Sequence, residues 1–230
     1  MSELHIVFPL YPKVTHLDFT GPHQVLSRLP GARTTVAKMG GGTLTSDGLT
    51  FGDLADLAKV ERCDVLCVPG GFGTTDAMLD EAFMGEITRL AKGARYLTSV
   101  CTGSLILAAT GLIRGKRAAC HWAWRDLLTP FGVIVDEARV VRDGNVFTGG
   151  GVTAGLDFAF VLAAEIAGEA FAQSLQLSLE YAPAPPFNSG RPETAPPEIL
   201  AGVQAFMASS QESRRAAAET AARRVNQAAS

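Results

Sequence analysis

The feature that most restricts the fold is a short apolar run that stops on one cysteine and turns at once. Arg95-Tyr96-Leu97-Thr98-Ser99-Val100 reads as a strand, Cys101-Thr102-Gly103-Ser104 as a small-residue turn, and Leu105-Ile106-Leu107-Ala108 as a helical pattern running to Gly111. A strand that ends on a cysteine and passes directly into a helix holds the sulfur at the first exposed corner of a sheet, where α/β folds keep their chemistry. The first turn of a helix carries unpaired N–H groups and a partial positive charge, which is expected to favour thiolate over thiol. The competing reading of Cys101 is a small buried hydrophobe, the usual fate of a free cysteine.

The rest of the chain repeats this strand-turn-helix unit. Leu4 to Leu10 is a first strand, and Gly21-Pro22 suits the first turn of a helix continued by His23 to Arg28. Asp18 then falls in the loop leaving the first strand or in the turn before that helix. Thr34 to Ala37 reads as a second strand and Gly40 to Leu49 as a hairpin. Val65-Leu66-Cys67-Val68 is a continuous apolar strand, of the kind buried on both faces. It ends in Pro69-Gly70-Gly71-Phe72-Gly73, whose glycines permit close backbone approach and exposed N–H groups. Such a loop alone is an ordinary tight turn. It gains weight because it follows the strand before Cys101, and neighbouring parallel strands bring their carboxyl-end loops together.

A helical pattern covers Thr75 to Lys92. Ala118-Ala119-Cys120-His121 leads into a helix-like Trp122 to Leu128 that Pro130 breaks, and Val133-Ile134-Val135 is strand-like. Val140-Val141-Arg142 and Val146-Phe147-Thr148 flank the hairpin turn Asp143-Gly144-Asn145. Gly149 to Gly155, including Gly151 and Val152, opens a helix over Leu156 to Ile166, whose N-terminus faces the expected pocket or simply packs tightly on its strand; another helix follows over Glu169 to Glu180. This rhythm predicts a three-layer α/β fold with a mostly parallel sheet.

Ala182-Pro183-Ala184-Pro185-Pro186 cannot be helical and is expected to lie extended over the surface, near a partner subunit. Pro197 to Ala208 reads as the last regular helix. The expectation is one domain over 1–209, with an extension from about 182, and a polar tail over 210–230 that is a solvated helix or a frayed end. A net charge of -3 offers no basic footprint for nucleic acid. Cys63, Cys67, Cys101 and Cys120 form no CxxC pair and have no zinc-like spacing with the four histidines, so no metal is expected, and a reducing cytoplasm is. Neither a secretion signal nor a membrane span is read.

Four motifs, in order, carry a family resemblance: Asp18-Phe19-Thr20-Gly21-Pro22, Val68-Pro69-Gly70-Gly71, Val100-Cys101-Thr102-Gly103 and Gly150-Gly151-Val152-Thr153-Ala154-Gly155-Leu156-Asp157. Over residues 4 to 181 the chain resembles the PfpI-like branch of the class I glutamine amidotransferase-like superfamily. The segment Gln176 to Gly190 is similar to that of the isonitrile hydratases within it. The resemblance implies a homodimer of flavodoxin-like three-layer subunits with a nucleophile-elbow cysteine, converting an isonitrile and water to an N-substituted formamide without metal or organic cofactor. It implies Cys101 as nucleophile, Asp18 as the carboxylate beside it, and Thr102 as the hydratase-type residue after the nucleophile. Protease and amidotransferase relatives usually carry His or Gly at the Thr102 position, and the downstream His-Glu pair of amidotransferases is not found.

On that reading Asp18 moves protons during thiolate attack and hydrolysis, with its proton affinity raised by the thiolate; its alternative role is a helix cap next to Thr20. The N–H groups of Gly71 and Thr102, in loops that include Gly70, are expected to polarise the reacting group. His121 stands where several superfamily members have an active-site histidine; it lines the pocket or is packed structurally. Two other functions share the motifs: a cysteine redox or ligand sensor, related to the N-terminal domains of AraC-type regulators, and a glyoxalase- or deglycase-like activity on reactive carbonyls.

Overall fold

The computed structural model describes residues 3–228. In chain order the elements are β1 (Leu4–Leu10), α1 (Leu17–Leu26), β2 (Ala32–Lys38), β3 (Gly42–Ser46), β4 (Leu49–Asp56), β5 (Val65–Val68), α2 (Thr74–Leu79), α3 (Glu81–Gly93), β6 (Tyr96–Val100) and α4 (Gly103–Ala108). They continue with β7 (Arg117–Ala118), β8 (Ile134–Val135), β9 (Val140–Asp143), β10 (Val146–Gly149), α5 (Ala154–Ala167), α6 (Glu169–Ser178), α7 (Pro197–Ala208) and α8 (Gln211–Ala228).

Every residue of β1, β5, β6 and β10 is buried, so these strands need cover on both faces and form the middle of the sheet. The sheet order is β3-β4-β2-β1-β5-β6-β10-β9. Within it, β2-β1-β5-β6-β10 are parallel neighbours, with Leu4 opposite Ala32, Val65 opposite Tyr96 and Val146 opposite Leu97. That is the flavodoxin-like order, in which chain direction across the sheet reverses between β1 and its neighbour β5. The edges are antiparallel. β3 and β4 form a hairpin through Asp47 and Gly48, both at positive φ as a type I′ turn requires, and β9 folds back on β10. Helices α1, α5 and α6 pack on one another as one layer, while α2 packs with α3, α4 and α8 in the other. The expected mostly parallel three-layer sandwich is therefore present.

Several local expectations are corrected. Helix α1 begins at Leu17, so Pro22 lies inside it and Asp18 belongs to its first turn. The missing Pro22 N–H costs α1 one internal bond, but the Gly21-Pro22 surface is where α5 docks: a Cβ on Gly155 would stand 3.1 Å from Pro22 Cδ. The single helix expected over 75–92 is two, because Asp80 adopts an extended backbone and its side chain accepts from Phe83 N–H at 3.0 Å, capping α3. The helix expected over 122–128 is a 3₁₀ segment, Arg125–Phe131, that contains Pro130 and closes at Gly132 with φ 73°.

Residues 182–196 form neither helix nor strand and are largely exposed, whereas the tail folds as α8; residues 229–230 of the expected tail lie outside the described range. Helix α8 is not solvated all round. Arg214, Ala217, Ala218, Ala221 and Ala222 recur at helical spacing and are buried against the body of the protein.

Candidate active site

The site forms where three loops meet at the carboxyl ends of β1, β5 and β6. The loop after β1 is laced to the loop after β5: Thr15 N–H donates to Gly70 O at 2.9 Å, Val14 bridges Gly71, and the Tyr11 hydroxyl donates to Pro69 O at 2.8 Å. These bonds fix the start of α1 and with it Asp18. The fit leaves no room for a side chain on the second loop. A Cβ on Gly70 would lie 2.6 Å from Thr102 N and 2.9 Å from Asp18 Oδ2; Gly71, at φ 150°, would place one 2.5 Å from Lys13 O.

Cys101 sits at the turn from β6 into α4 with φ 58°, a conformation that costs a non-glycine residue free energy and projects its side chain out of the strand. Its N–H is tied to Gly149 O at 2.9 Å, anchoring the elbow to β10. The residue is only 6% exposed. Asp18 is fully buried; its Oδ2 accepts from Gly70 N–H at 2.9 Å. Its Oδ1 has no hydrogen-bond partner of ordinary geometry, although the Cys101 thiol lies close enough to the carboxylate to interact with it. Burial raises the Asp18 pKa to about 7, against the opposing effects of Gly70 N–H and Cys101.

The thiol departs from the sequence expectation. Burial, then the Asp18 charge, then Cys120 push Cys101 well above an ordinary thiol, outweighing the Thr102 backbone and side-chain bonds that favour thiolate. Helix α4 has only six residues and therefore little dipole to offer. The pair thus rests as a thiol beside a carboxyl group that gains and loses its proton near neutrality, and its carboxylate form can accept the thiol proton.

Thr102 holds the floor of the site. Its Oγ1 accepts from Gly71 N–H at 2.9 Å and meets Thr74 Oγ1 at 2.8 Å, which in turn lies 3.1 Å from the Tyr11 hydroxyl. The N–H groups of Gly70 and Gly71 are therefore both committed within the protein, to Asp18 and Thr102, and the expected polarising role of Gly71 N–H does not fit this arrangement. Thr102 N–H is directed to the sulfur.

His121, Gly151 and Val152 belong to a cavity whose lining does not include Cys101. They line this cavity, of about 470 Å³, with Cys120, Arg125, Arg139 and residues of the 190–194 segment. Cys120, which lines this cavity, is also near enough to Cys101 to raise the pKa of its thiol. His121 Nδ1 accepts from Ala123 N–H at 3.3 Å, its ring lies 5.6 Å from Trp122, and burial and the Arg214 charge lower it to about 4. It is thus neutral at pH 7. Among the described residues, no three His, Cys, Asp or Glu side chains gather where they could hold a metal ion.

Sequence reasoning missed Arg214. This α8 side chain is 3% exposed, lies 4.6 Å over the Trp124 ring and 5.7 Å over that of Phe72, and reaches Gly71 O at 3.4 Å. The signal was present in the stripe Arg214, Ala217, Ala218, Ala221, Ala222, whose spacing marks a buried helix face.

Fold and site together define a flavodoxin-like α/β protein with a cysteine at a strained elbow and a buried carboxyl group beside it, at the point where the strand order reverses. Residues 5–165 match the model of the DJ-1/PfpI family, and the chain belongs to that family. It is 48% identical over 224 residues to the isonitrile hydratase of Pseudomonas putida, covering 97% of this chain and 98% of that one. It is 30% identical over 184 residues to protein dj-1beta of Drosophila melanogaster, covering 78% and 97%. Among solved structures, a THiJ/PfpI family protein from Pseudomonas syringae superposes with a TM-score of 0.91 at 40% identity, over 95% of this chain and 91% of that one.

Proposed function

We propose that the chain is an isonitrile hydratase that converts R-NC and water to the formamide R-NH-CHO through a covalent bond to Cys101. The observation that carries the reading is the sealed Cys101 and Asp18 pair, with one carboxyl oxygen unpartnered, in a chain alike from end to end to the P. putida hydratase.

The geometry supplies each proton. Asp18 takes the thiol proton, the sulfur bonds to the terminal carbon of the isonitrile, and the proton passes from Asp18 to the substrate, giving the thioimidate R-N=CH-S-Cys101. Water then adds to the same carbon, its proton going through Asp18 to the nitrogen. The adduct R-NH-CH(OH)-S-Cys101 loses its hydroxyl proton to Asp18, the C–S bond breaks, and the sulfur recovers a proton as the formamide leaves. A carboxyl group titrating at about 7 is matched to giving and taking protons near neutrality. Thr102 contributes by directing its N–H to the sulfur and bracing the Gly71 loop.

A redox sensor is disfavoured, because such cysteines are exposed and acidic whereas Cys101 is buried with a raised pKa. We also place the protein in a reducing cytoplasm, in keeping with its four free cysteines. The working unit is a homodimer: α7 has no buried residue and leaves Ile199, Val203 and Phe206, one apolar stripe, exposed for a second copy to cover.

The test is formation of N-substituted formamide from para-nitrophenyl isocyanide by the pure protein, with methylglyoxal as competitor substrate. Hydration of the isonitrile is expected. Turnover of methylglyoxal with the isonitrile untouched would replace this reading by the carbonyl-active one.

A further inference from the structure

Arg214 is a buried cation for which no carboxylate partner is found among the described residues. Its Nη2 reaches only Gly71 O, at 3.4 Å, a carbonyl that already accepts from the Thr74 hydroxyl at 2.8 Å. Its Nε and Nη1 are buried with no hydrogen-bond partner. Leaving donors of a buried charge unsatisfied is costly, and a catalytic role is one of the reasons for which native structures keep such groups. The Trp124 and Phe72 rings hold the guanidinium in place, and it is close enough to Cys101 and Cys120 for their charges to interact. The hydration chemistry, meanwhile, lacks a donor. An oxygen must arrive at the carbon bonded to Cys101 and bear developing charge as the adduct collapses, yet Gly70 and Gly71 N–H are spent on Asp18 and Thr102.

Building on the hydratase reading, we propose that Arg214 is a further catalytic residue: one of its two unpartnered donors, Nε–H or Nη1–H, binds the attacking water and then the oxygen of the adduct on Cys101. The oxygen-carbon bond forms beside the guanidinium, the water proton leaves to Asp18, and the C–S electron pair returns to sulfur when the formamide carbonyl forms. Arg214 itself stays protonated throughout. Formation of the thioimidate involves no oxygen and does not require it.

That asymmetry gives the test. Wild type, Arg214→Met and Arg214→Lys are assayed with para-nitrophenyl isocyanide, and the protein is acid-quenched during turnover for intact-mass measurement. In Arg214→Met, kcat is expected to fall about 100-fold or more, the usual loss of one such donor, while protein carrying one substrate mass accumulates. A merely structural arginine would slow both steps, and no adduct would build up. Unchanged kcat, or a fall in kcat without adduct, overturns the assignment. If circular dichroism shows Arg214→Met unfolded, the same two readings are made on Arg214→Lys, which keeps the charge but not the guanidinium donors Nε and Nη1. Wild-type protein that makes no formamide refutes the hydratase reading and the assignment with it, whereas the other negative outcomes refute the assignment alone.

Discussion

At the scale of the residue, the chemistry depends on which of two buried acids holds a proton. Folding raises the Asp18 pKa from 3.8 to about 7, so within that window the folded protein keeps a proton the unfolded chain has lost. Stability therefore falls as pH rises across the window, by up to about 1.4 kcal/mol per pH unit, and the loss is complete above it. His121, lowered by burial to about 4, acts in the opposite direction between there and its usual 6.5, so the informative quantity is a difference between proteins. Asp18→Asn, which can still accept from Gly70 N–H, should gain stability relative to wild type in urea titrations as pH goes from 4 to 8. A pH-independent difference would contradict the raised pKa. The same variant should hydrate isonitriles severely more slowly and lack the rise in kcat/KM that is expected of wild type through about pH 7. The position of Cys101 was legible in the strand-Cys-Thr-Gly-helix pattern. Its protonation was not, because the charge of Asp18 and the depth of burial are tertiary facts, and they outweigh a six-residue helix.

At the scale of the element, the central strands were the most legible part of the chain. A strand buried on both faces leaves a largely apolar run, interrupted in β1 only by His5, and β1 and β5 coincide with theirs residue for residue. Helix limits were less legible, since the docking of α1 on α5 overrides Pro22 and the cap at Asp80 divides one apolar pattern into two helices. The glycine loops separate in the same way. Gly70 serves close approach, so Gly70→Ala should push Thr102 and Asp18 apart, cut turnover at least tenfold and lower the melting temperature by several degrees, the scale of a change of about 1 to 3 kcal/mol. Gly151→Ala meets no atom within 4 Å and should melt like wild type. Thermal melts of the two variants side by side check both; equal melting temperatures would mean the Gly70 loop can relax.

At the scale of the molecule, the sheet order brings loops from distant parts of the chain to one crevice, and α8 closes it with a side chain 143 positions from Gly71. The first of these was partly legible, because successive parallel strands β5 and β6 were expected to be neighbours, as they are. The second was not, because a helix rich in Ala, Arg and Glu reads as solvated until its buried stripe has a surface to meet. The exposed stripe of α7 predicts association: sedimentation should give the mass of two chains, and Phe206→Glu, at a position 70% exposed in the single chain, should shift it toward one. Two-chain mass unaffected by that change would move the interface elsewhere.

The central claim is that Cys101 bonds to the isonitrile carbon. Its most direct test compares wild type with Cys101→Ala for formamide release from para-nitrophenyl isocyanide, after circular dichroism has shown both folded. Turnover by wild type and none by the variant is the predicted result; measurable turnover without the sulfur would contradict covalent catalysis.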